Sequence, residues 1–347
     1  MRLAVMVMTA AATALLTACG SANVAVTSAK PLPKGVFVSE FEHGSGDTGG
    51  GNGTFLSLFD QTSGRHLRDL VHLEERSALH LFGYSRGMDG TITYALGQGP
   101  YYRGHVANGA PEAGTCGGTA YQLDARTGQT RTLFTVGKDR TIGAPSASPD
   151  GKWVAYLSQA CSASLAQSVT VRDLASGAEH TIGVPGAFAT RVGWRSDSAQ
   201  LVVTVIFSVQ RSAADGPGFV IVPVKASGPQ PRVSVRRAPD SGCVVGAAVF
   251  ATSGILLVEG CPDTVTGPAR LVQLLDAGPR VLWRANTGLC PNGMTLAHDP
   301  EGQLLVTATT TCGGPGAPVD VVQSWTGQQV REIGRYVNPE QFVVAAG

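Results

Sequence analysis

The amino-acid sequence predicts an all-β protein, a six-bladed β-propeller of four-stranded antiparallel blades that occupies residues 35–347. Two recurrences predict this fold. Strand-like runs end six times in a turn closed by glycine, and a second kind of turn comes directly before a β-rich run five times. A repeat of about 40–50 residues that holds four short strands is typical of a propeller blade.

The glycine-closed turns recur with a period near 50 residues. Their last residues are Gly64, Gly128, Gly177, Gly228, Gly278 and Gly327. The separations are 64, 49, 51, 50 and 49 residues. Glycine adopts a positive φ without steric cost, and an aspartate earlier in the turn, such as Asp124 or Asp173, accepts hydrogen bonds from backbone N–H groups. Each copy therefore predicts a hairpin between the third and fourth strands of a blade, here called c and d.

The second kind of turn is clearest at Ser148-Pro149-Asp150-Gly151, which precedes the β-branched and aromatic run of residues 152–157. Degraded copies occupy residues 87–90, 195–198, 251–254 and 299–302. Each copy predicts a hairpin between the two inner strands of a blade, a and b.

The first blade lacks a candidate for its innermost strand. Residues 36–41 are predicted as its strand b and residues 55–59 as its strand c, and residues 342–346 then supply strand a. This arrangement joins the two ends of the chain, which closes the ring and removes an exposed sheet edge. Residues 67–81 have some helical spacing, but they are predicted as β because strand d of blade 1 and strand a of blade 2 fall there.

The run SPDGKWVAYLS resembles the repeat of TolB-type propellers, also called WD40-like or PD40 repeats. Residues 141–184 carry the resemblance most clearly, and the period extends it over residues 36–346. The Trp-Asp dipeptide of true WD40 repeats is absent. TolB also has an N-terminal α/β domain, whereas residues 19–34 here are predicted to be only a linker. The resemblance therefore implies the fold and does not carry over a TolB role.

Residues 1–18 are predicted to be a secretory signal, with Arg2 followed by an uncharged apolar stretch too short to span a membrane. The tetrad Leu16-Thr17-Ala18-Cys19 resembles the lipobox of bacterial lipoproteins. That resemblance implies cleavage before Cys19, lipidation of its thiol, and a lipid-anchored extracytoplasmic protein at the bacterial cell membrane. The alternative is an ordinary signal peptide with a cysteine there by chance.

Six cysteines remain after Cys19, and an even number in an exported chain favours disulfides. Cys243 and Cys261 lie near the start of a strand a and just after the following strand b, and Cys290 and Cys312 hold the matching positions one blade later. These positions predict the pairs Cys243–Cys261 and Cys290–Cys312. By the same blade geometry, the third predicted pair is Cys116–Cys161.

The b–c connections are predicted to be longer than the turns at the opposite end of the blades, and long connections on a rigid scaffold often carry binding residues. The second of them contains four candidate partner-binding residues, Tyr101, Tyr102, Arg103 and His105. Aromatic and arginine side chains are favoured contact residues. The alternatives are that the long connections are tolerated insertions, and that the tyrosines merely cover an edge of the propeller.

No hydrolase nucleophile elbow, zinc-protease motif or phosphate-binding loop occurs in the sequence, and no cofactor is expected. His43, beside Glu42 and Asp47, is a weak alternative for a metal site. The formal net charge of +1 argues against nucleic acid as a partner, and a monomer is expected.

Two functions follow from the sequence. The first is a membrane-anchored scaffold that binds an unknown protein, peptide or glycan at the cell surface without turnover. The alternative is an envelope enzyme of the lactonase or lyase type with a site in the central channel. The predicted strands a are mostly small or apolar, which favours binding over catalysis.

Overall fold

The structure is a computed structural model that describes residues 36–42, 53–59, 66–74, 79–86, 91–98, 117–124, 127–160, 167–183, 187–208, 218–224, 236, 238–239, 243–251, 254–260, 269–284, 290–298, 304–309, 319–325 and 330–337. In these residues the chain forms 22 strands in six sheets, numbered here in chain order. Each strand pairs antiparallel with the next strand of its own sheet, so every sheet is a simple meander.

The first three sheets contain eleven strands. Sheet 1 consists of β1 (Val36–Glu42), β2 (Gly53–Phe59) and β3 (His66–Glu74). Sheet 2 consists of β4 (Leu79–Arg86), β5 (Thr91–Gln98), β6 (Gly118–Asp124) and β7 (Gln129–Val136). Sheet 3 consists of β8 (Gly143–Ala147), β9 (Trp153–Gln159), β10 (Gln167–Asp173) and β11 (Glu179–Gly183).

The last three sheets contain the other eleven strands. Sheet 4 consists of β12 (Ala187–Trp194), β13 (Gln200–Ser208) and β14 (Gly218–Pro223). Sheet 5 consists of β15 (Val244–Phe250), β16 (Ile255–Gly260), β17 (Ala269–Leu275) and β18 (Gly278–Arg284). Sheet 6 consists of β19 (Cys290–His298), β20 (Leu304–Thr309), β21 (Val319–Trp325) and β22 (Val330–Val337).

The predicted strand order is confirmed. Sheets 2, 3, 5 and 6 have four strands in the order a, b, c, d, and residues 67–81 are β-structure, in β3 and β4. Sheet 4 differs among the described residues, since beyond β14 it has only an isolated bridge between Phe219 and Arg236. Sheet 1 has three strands, and residues 342–346, predicted to complete it, lie outside the described residues.

Apolar side chains from neighbouring sheets form the core. On β9, Tyr156 packs with Phe134 of sheet 2, while Leu157 packs with Val203 of sheet 4. Both faces of a central strand are therefore buried, which explains why this stretch is continuously apolar rather than alternating. Burial of each such side chain contributes roughly 1.5–3 kcal/mol. The inner strands also contact their successors from β4 to β8, β12, β15 and β19.

The turn between β8 and β9 has the local bonding that its sequence predicts. Ser148 Oγ accepts the N–H of Trp153 at 2.9 Å and donates to Asp150 Oδ1 at 2.6 Å. Asp150 Oδ1 also accepts the N–H of Lys152 at 3.2 Å, and Gly151 has a φ of 69°. The aspartate and the glycine thus fix the turn as expected.

The next copy of this turn replaces the glycine by a serine. Ser198 has a φ of 59°, a conformation that costs a non-glycine residue about 1–2 kcal/mol. Its Oγ accepts the N–H of Asp150 in the preceding turn at 3.1 Å. The strained serine thereby links the turns of sheets 3 and 4.

Candidate functional site at the loop end of the sheets

The connections at the two ends of the sheets differ in length. The end called the loop end carries the b–c connections 43–52, 99–117, 160–166, 209–217, 261–268 and 310–318, which contain 7 to 19 residues. The opposite end, called the turn end, carries the a–b and c–d turns, which contain 2 to 6 residues. The predicted asymmetry is therefore present. The loop end is the better candidate for binding, because long connections on a rigid scaffold have room for contact residues.

The predicted contact residues fall in the longest of these connections. Tyr101, Tyr102, Arg103 and His105 all belong to the connection 99–117 and lie outside the described residues. The same holds for the weaker metal candidate at His43. Their role in binding stays a prediction.

The inner strands share a feature that the sequence did not predict. The ladder between strands a and b is irregular in all five described cases, whereas none of the six b–c ladders is irregular. In sheet 3 the irregularity lies between Gly143 and Ser146, where Ala144 has a φ of 42°. In sheet 5 it lies between Val245 and Ala247. A bulge bends its strand and redirects side chains, so the inner strands depart from regular pairing in the half where the chain enters them.

The register of sheet 5 supports one predicted disulfide. Val244 pairs with Gly260 and Val245 with Glu259, so the next opposed positions outward are Cys243 and Cys261. Opposed residues in an antiparallel pair lie about 4.5–5.5 Å apart at Cα, within the range a disulfide spans. Cys243 is disulfide-bonded, and Cys261 lies outside the described residues.

The other two pairs stay predictions with less support. Gly117, which follows Cys116, donates its N–H to the Arg140 carbonyl at 2.9 Å. Ala160, which precedes Cys161, forms a β-bridge with the same Arg140. Cys290 pairs with Thr309, three positions before Cys312. Cys116, Cys161 and Cys312 lie outside the described residues.

We expect peptide mapping without reduction to recover a Cys243–Cys261 peptide, together with Cys116–Cys161 and Cys290–Cys312. Reduction is expected to lower stability by roughly 2–4 kcal/mol for each pair lost. A Cys243 peptide joined to any cysteine other than Cys261 would contradict the register, because no other cysteine is opposite Cys243 in the ladder.

A cluster of charged side chains lies where sheets 2 and 3 meet. Glu179 accepts hydrogen bonds from Arg172 at 2.6 Å and from the Tyr156 hydroxyl at 3.1 Å, and it is ion-paired with Arg140 at 2.6 Å. The Arg172 guanidinium also lies 4.9 Å from the ring centre of Phe134 in sheet 2. This cluster was not predicted from the sequence. The signal available was the pair of opposite charges flanking the turn between β10 and β11.

The pKa shifts of Glu179 and Tyr156 show which protonation states the cluster holds. Burial by itself raises the pKa of Glu179, but the hydrogen bonds from Arg172 and Arg140 outweigh it and hold that pKa below its usual value. Burial raises the pKa of Tyr156 well above its usual value. At neutral pH, Glu179 is therefore ionised and Tyr156 is a neutral donor. Glu179 is therefore suited to holding Arg140, which lies between sheets 2 and 3, while the Tyr156 hydroxyl holds Glu179.

Sheet 5 contains a second pair of charges, closer to the loop end. Arg270 Nε donates to Glu259 at 2.8 Å, and the side chains are 9% and 0% exposed. The two residues are opposed in the b–c ladder, at the place where Ser158 and Ser168 are opposed in sheet 3. A fully buried ion pair is costly to desolvate, so each partner depends strongly on the other.

Two further features are absent from the described residues. Among them, no group of three His, Cys, Asp or Glu side chains is placed to hold a metal ion. In the same stretches, no helix has the length and apolarity needed to cross a membrane.

Comparison with known structures places the fold. TolB from Acinetobacter baumannii superimposes with a TM-score of 0.57 at 15% identity, over 89% of this chain and 65% of that one. A protein from Agrobacterium tumefaciens assigned to the TolB type superimposes with a TM-score of 0.47 at 10% identity. The match covers 90% of this chain and 98% of that one. An oligogalacturonate lyase from Vibrio parahaemolyticus superimposes with a TM-score of 0.41 at 12% identity, over 86% of each chain.

The chain has the fold of a TolB-like β-propeller of the PD40 type, as the repeat predicted. It spans 65% of the length of the Acinetobacter protein, less than two thirds. At this identity the likeness shows the fold alone. No protein-family model matches the chain, and no curated protein matches it.

Proposed function

We propose that the protein is a lipid-anchored, extracytoplasmic propeller that binds a protein, peptide or glycan partner at the cell surface without turning it over. Its loop end is the binding face, and Tyr101, Tyr102, Arg103 and His105 are the contact residues. The fold by itself does not decide between binding and catalysis, since function depends on the site.

The observation that carries the proposal is the difference between the two ends of the sheets. All six b–c connections are longer than any turn at the turn end, and the longest has 19 residues. The turns are short and internally hydrogen-bonded, as between Ser148 and Trp153. Disulfides at the loop end would lower the entropy that its connections lose on binding.

The proposal includes a closed ring of six blades. Residues 342–346 would pair with β1 as the innermost strand of the first blade. The contact between β19 of sheet 6 and β4 of sheet 2 supports this closure, because it brings together the inner strands of the two blades that would flank the first blade. A closed ring would hold the six b–c connections on one face.

The binding function is tested by the triple variant Tyr101→Ala/Tyr102→Ala/Arg103→Ala in the full chain. Cross-linking on intact cells is expected to identify partners of the wild type that the variant loses, since aromatic and arginine contacts often contribute about 2 kcal/mol or more each. The matched control is Lys152→Ala/Ser196→Ala, which changes two exposed residues at the turn end. It is expected to keep those partners, and all three proteins should share one melting temperature.

Three results would contradict the proposal. If the triple variant keeps every partner, or if the turn-end control loses them, the binding face is wrong. If the triple variant melts at a markedly lower temperature, the tyrosines pack in the fold. If the purified protein holds a stoichiometric metal ion, the enzyme alternative of the lactonase or lyase type replaces the binding proposal.

The anchor is tested at Cys19, which lies outside the described residues. Cys19→Ala is expected to move the protein from the membrane fraction to the soluble fraction, because a thioether-linked lipid can no longer form. Metabolic labelling with a palmitate analogue should mark the wild type only. Unchanged partitioning of the variant would refute lipidation at this residue.

A further inference from the structure

Residues 137–142 join sheet 2 to sheet 3 at the loop end and are called the strap here. The strap is held at both ends by the core, because Val136 and Ile142 are 3% and 1% exposed and pack in the same apolar cluster. Between these two residues the strap is largely exposed. Its middle therefore depends on polar contacts for its position.

Arg140 supplies those contacts through its backbone. Its carbonyl accepts the N–H of Gly117 at 2.9 Å, and it forms an antiparallel bridge with Ala160. Gly117 is the last residue of the connection 99–117, and Ala160 is the first residue of the connection 160–166. One residue of the strap thus holds the bases of two neighbouring connections.

The backbone conformation of Gly117 suits its close approach to the strap. It has a φ of 100°, which L side chains rarely adopt. A Cβ at this position would lie 3.6 Å from the carbonyl oxygen of Val136 and 3.7 Å from that of Gly137. The connection therefore enters β6 directly beside the strap, and a displacement of the strap would move its base.

The Arg140 side chain fixes the strap to sheet 3. Its guanidinium lies 2.6 Å from Glu179 Oε2, while the other oxygen of Glu179 is held by Arg172 and Tyr156. Charge-assisted hydrogen bonds of this kind are short and directional. Glu179 is thus held by β9 and β10 and in turn holds the strap.

We propose that Arg140 is a positioning residue for the loop end: its ion pair with Glu179 fixes the strap and thereby the base of the connection that carries Tyr101, Tyr102 and Arg103. The inference rests on the proposed function in assigning binding to that connection. The mechanical link from Glu179 through Arg140 to Gly117 stands on the described contacts.

Hydrogen exchange of the Gly117 amide in the full chain tests the link. Arg140→Gln is expected to speed this exchange about tenfold relative to the amides of β10, the size expected for losing one charge-assisted hydrogen bond. Arg140→Lys, which keeps the charge, should restore most of the protection. The control is Arg195→Gln, which breaks the ion pair with Asp197 at the turn end and should leave Gly117 unchanged.

A pH series separates positioning from general stability. The pKa of Glu179 is lowered in the fold, so its contribution is present above its ordinary pKa and is lost as pH falls through the lowered value. Gly117 protection relative to β10 should fall in that same range in the wild type. No such step is expected in Glu179→Gln, where Gly117 should exchange fast throughout.

Two results would overturn the inference. One is an Arg140→Gln variant in which Gly117 and the β10 amides speed up by the same factor. The other is a wild type whose relative Gly117 protection does not change as Glu179 is protonated. The exchange assay needs no partner, so loss of partner binding in the cross-linking experiment and loss of the link are separate outcomes.

Discussion

Replacing Glu259 by leucine is expected to lower the free energy of unfolding by about 3–5 kcal/mol, the usual cost of breaking a buried ion pair. Glu259 is fully buried, and Arg270, whose side chain is 9% exposed, donates to it at 2.8 Å. The leucine would leave the buried guanidinium of Arg270 without its Glu259 partner. Urea denaturation followed by circular dichroism measures the loss.

The double variant Glu259→Leu/Arg270→Met separates the cost of burying the Arg270 charge without Glu259 from the net contribution of the pair. Replacing both charges by apolar groups of similar size is often neutral or stabilising, so the double variant should recover most of the lost stability. The control is Lys152→Met, which removes an exposed partner of Asp150 at 3.7 Å and should cost less than about 1 kcal/mol. If Glu259→Leu costs no more than this control, the pair is not desolvated as described.

Gly254→Ala is expected to destabilise the protein by about 3 kcal/mol, from a strained φ and a steric overlap together. Gly254 has a φ of 82°, and a Cβ there would lie 1.9 Å from the carbonyl oxygen of Leu274. That oxygen belongs to β17, which cannot move without disturbing its ladder with β16. The melting temperature and the urea midpoint of the variant should both fall.

The matched control is Gly151→Ala, at the equivalent turn of sheet 3. Gly151 has a φ of 69°, but a Cβ there meets no atom within 4 Å, so only the backbone cost of about 1 kcal/mol is expected. Ser198, at the equivalent turn of sheet 4, shows that a side chain fits this conformation. Equal losses at Gly254 and Gly151 would mean that Leu274 does not limit the turn.

Much of the fold is predictable from the sequence, because the features that encode it are local. The Ser148-Pro149-Asp150-Gly151 turn is closed by its own side chains and by a glycine at positive φ, so a short pattern specifies it. The spacing of these turns then places the strands, including β3 and β4 within the ambiguous residues 67–81. The difference in connection length between the two ends follows from the same spacing.

The candidate site is only partly predictable. The sequence points to the connection that contains Tyr101 through its length and composition. It also indicates Cys243 opposite Cys261, because both flank one predicted hairpin, and the register of β15 and β16 agrees. Each of these inferences needs only the order of neighbouring strands.

The sequence by itself therefore determined the strands, their turns and the end of the sheets that carries the long connections. Only the tertiary structure decided the bulges of the inner strands, the burial of Glu259 with Arg270, and the joining of Arg140 to Glu179 and Gly117. The physical reason is the distance along the chain over which each interaction acts. Turn chemistry acts within about four residues, whereas a buried charge or a bulge depends on which sheet packs against it, and that sheet is formed by residues distant in the chain.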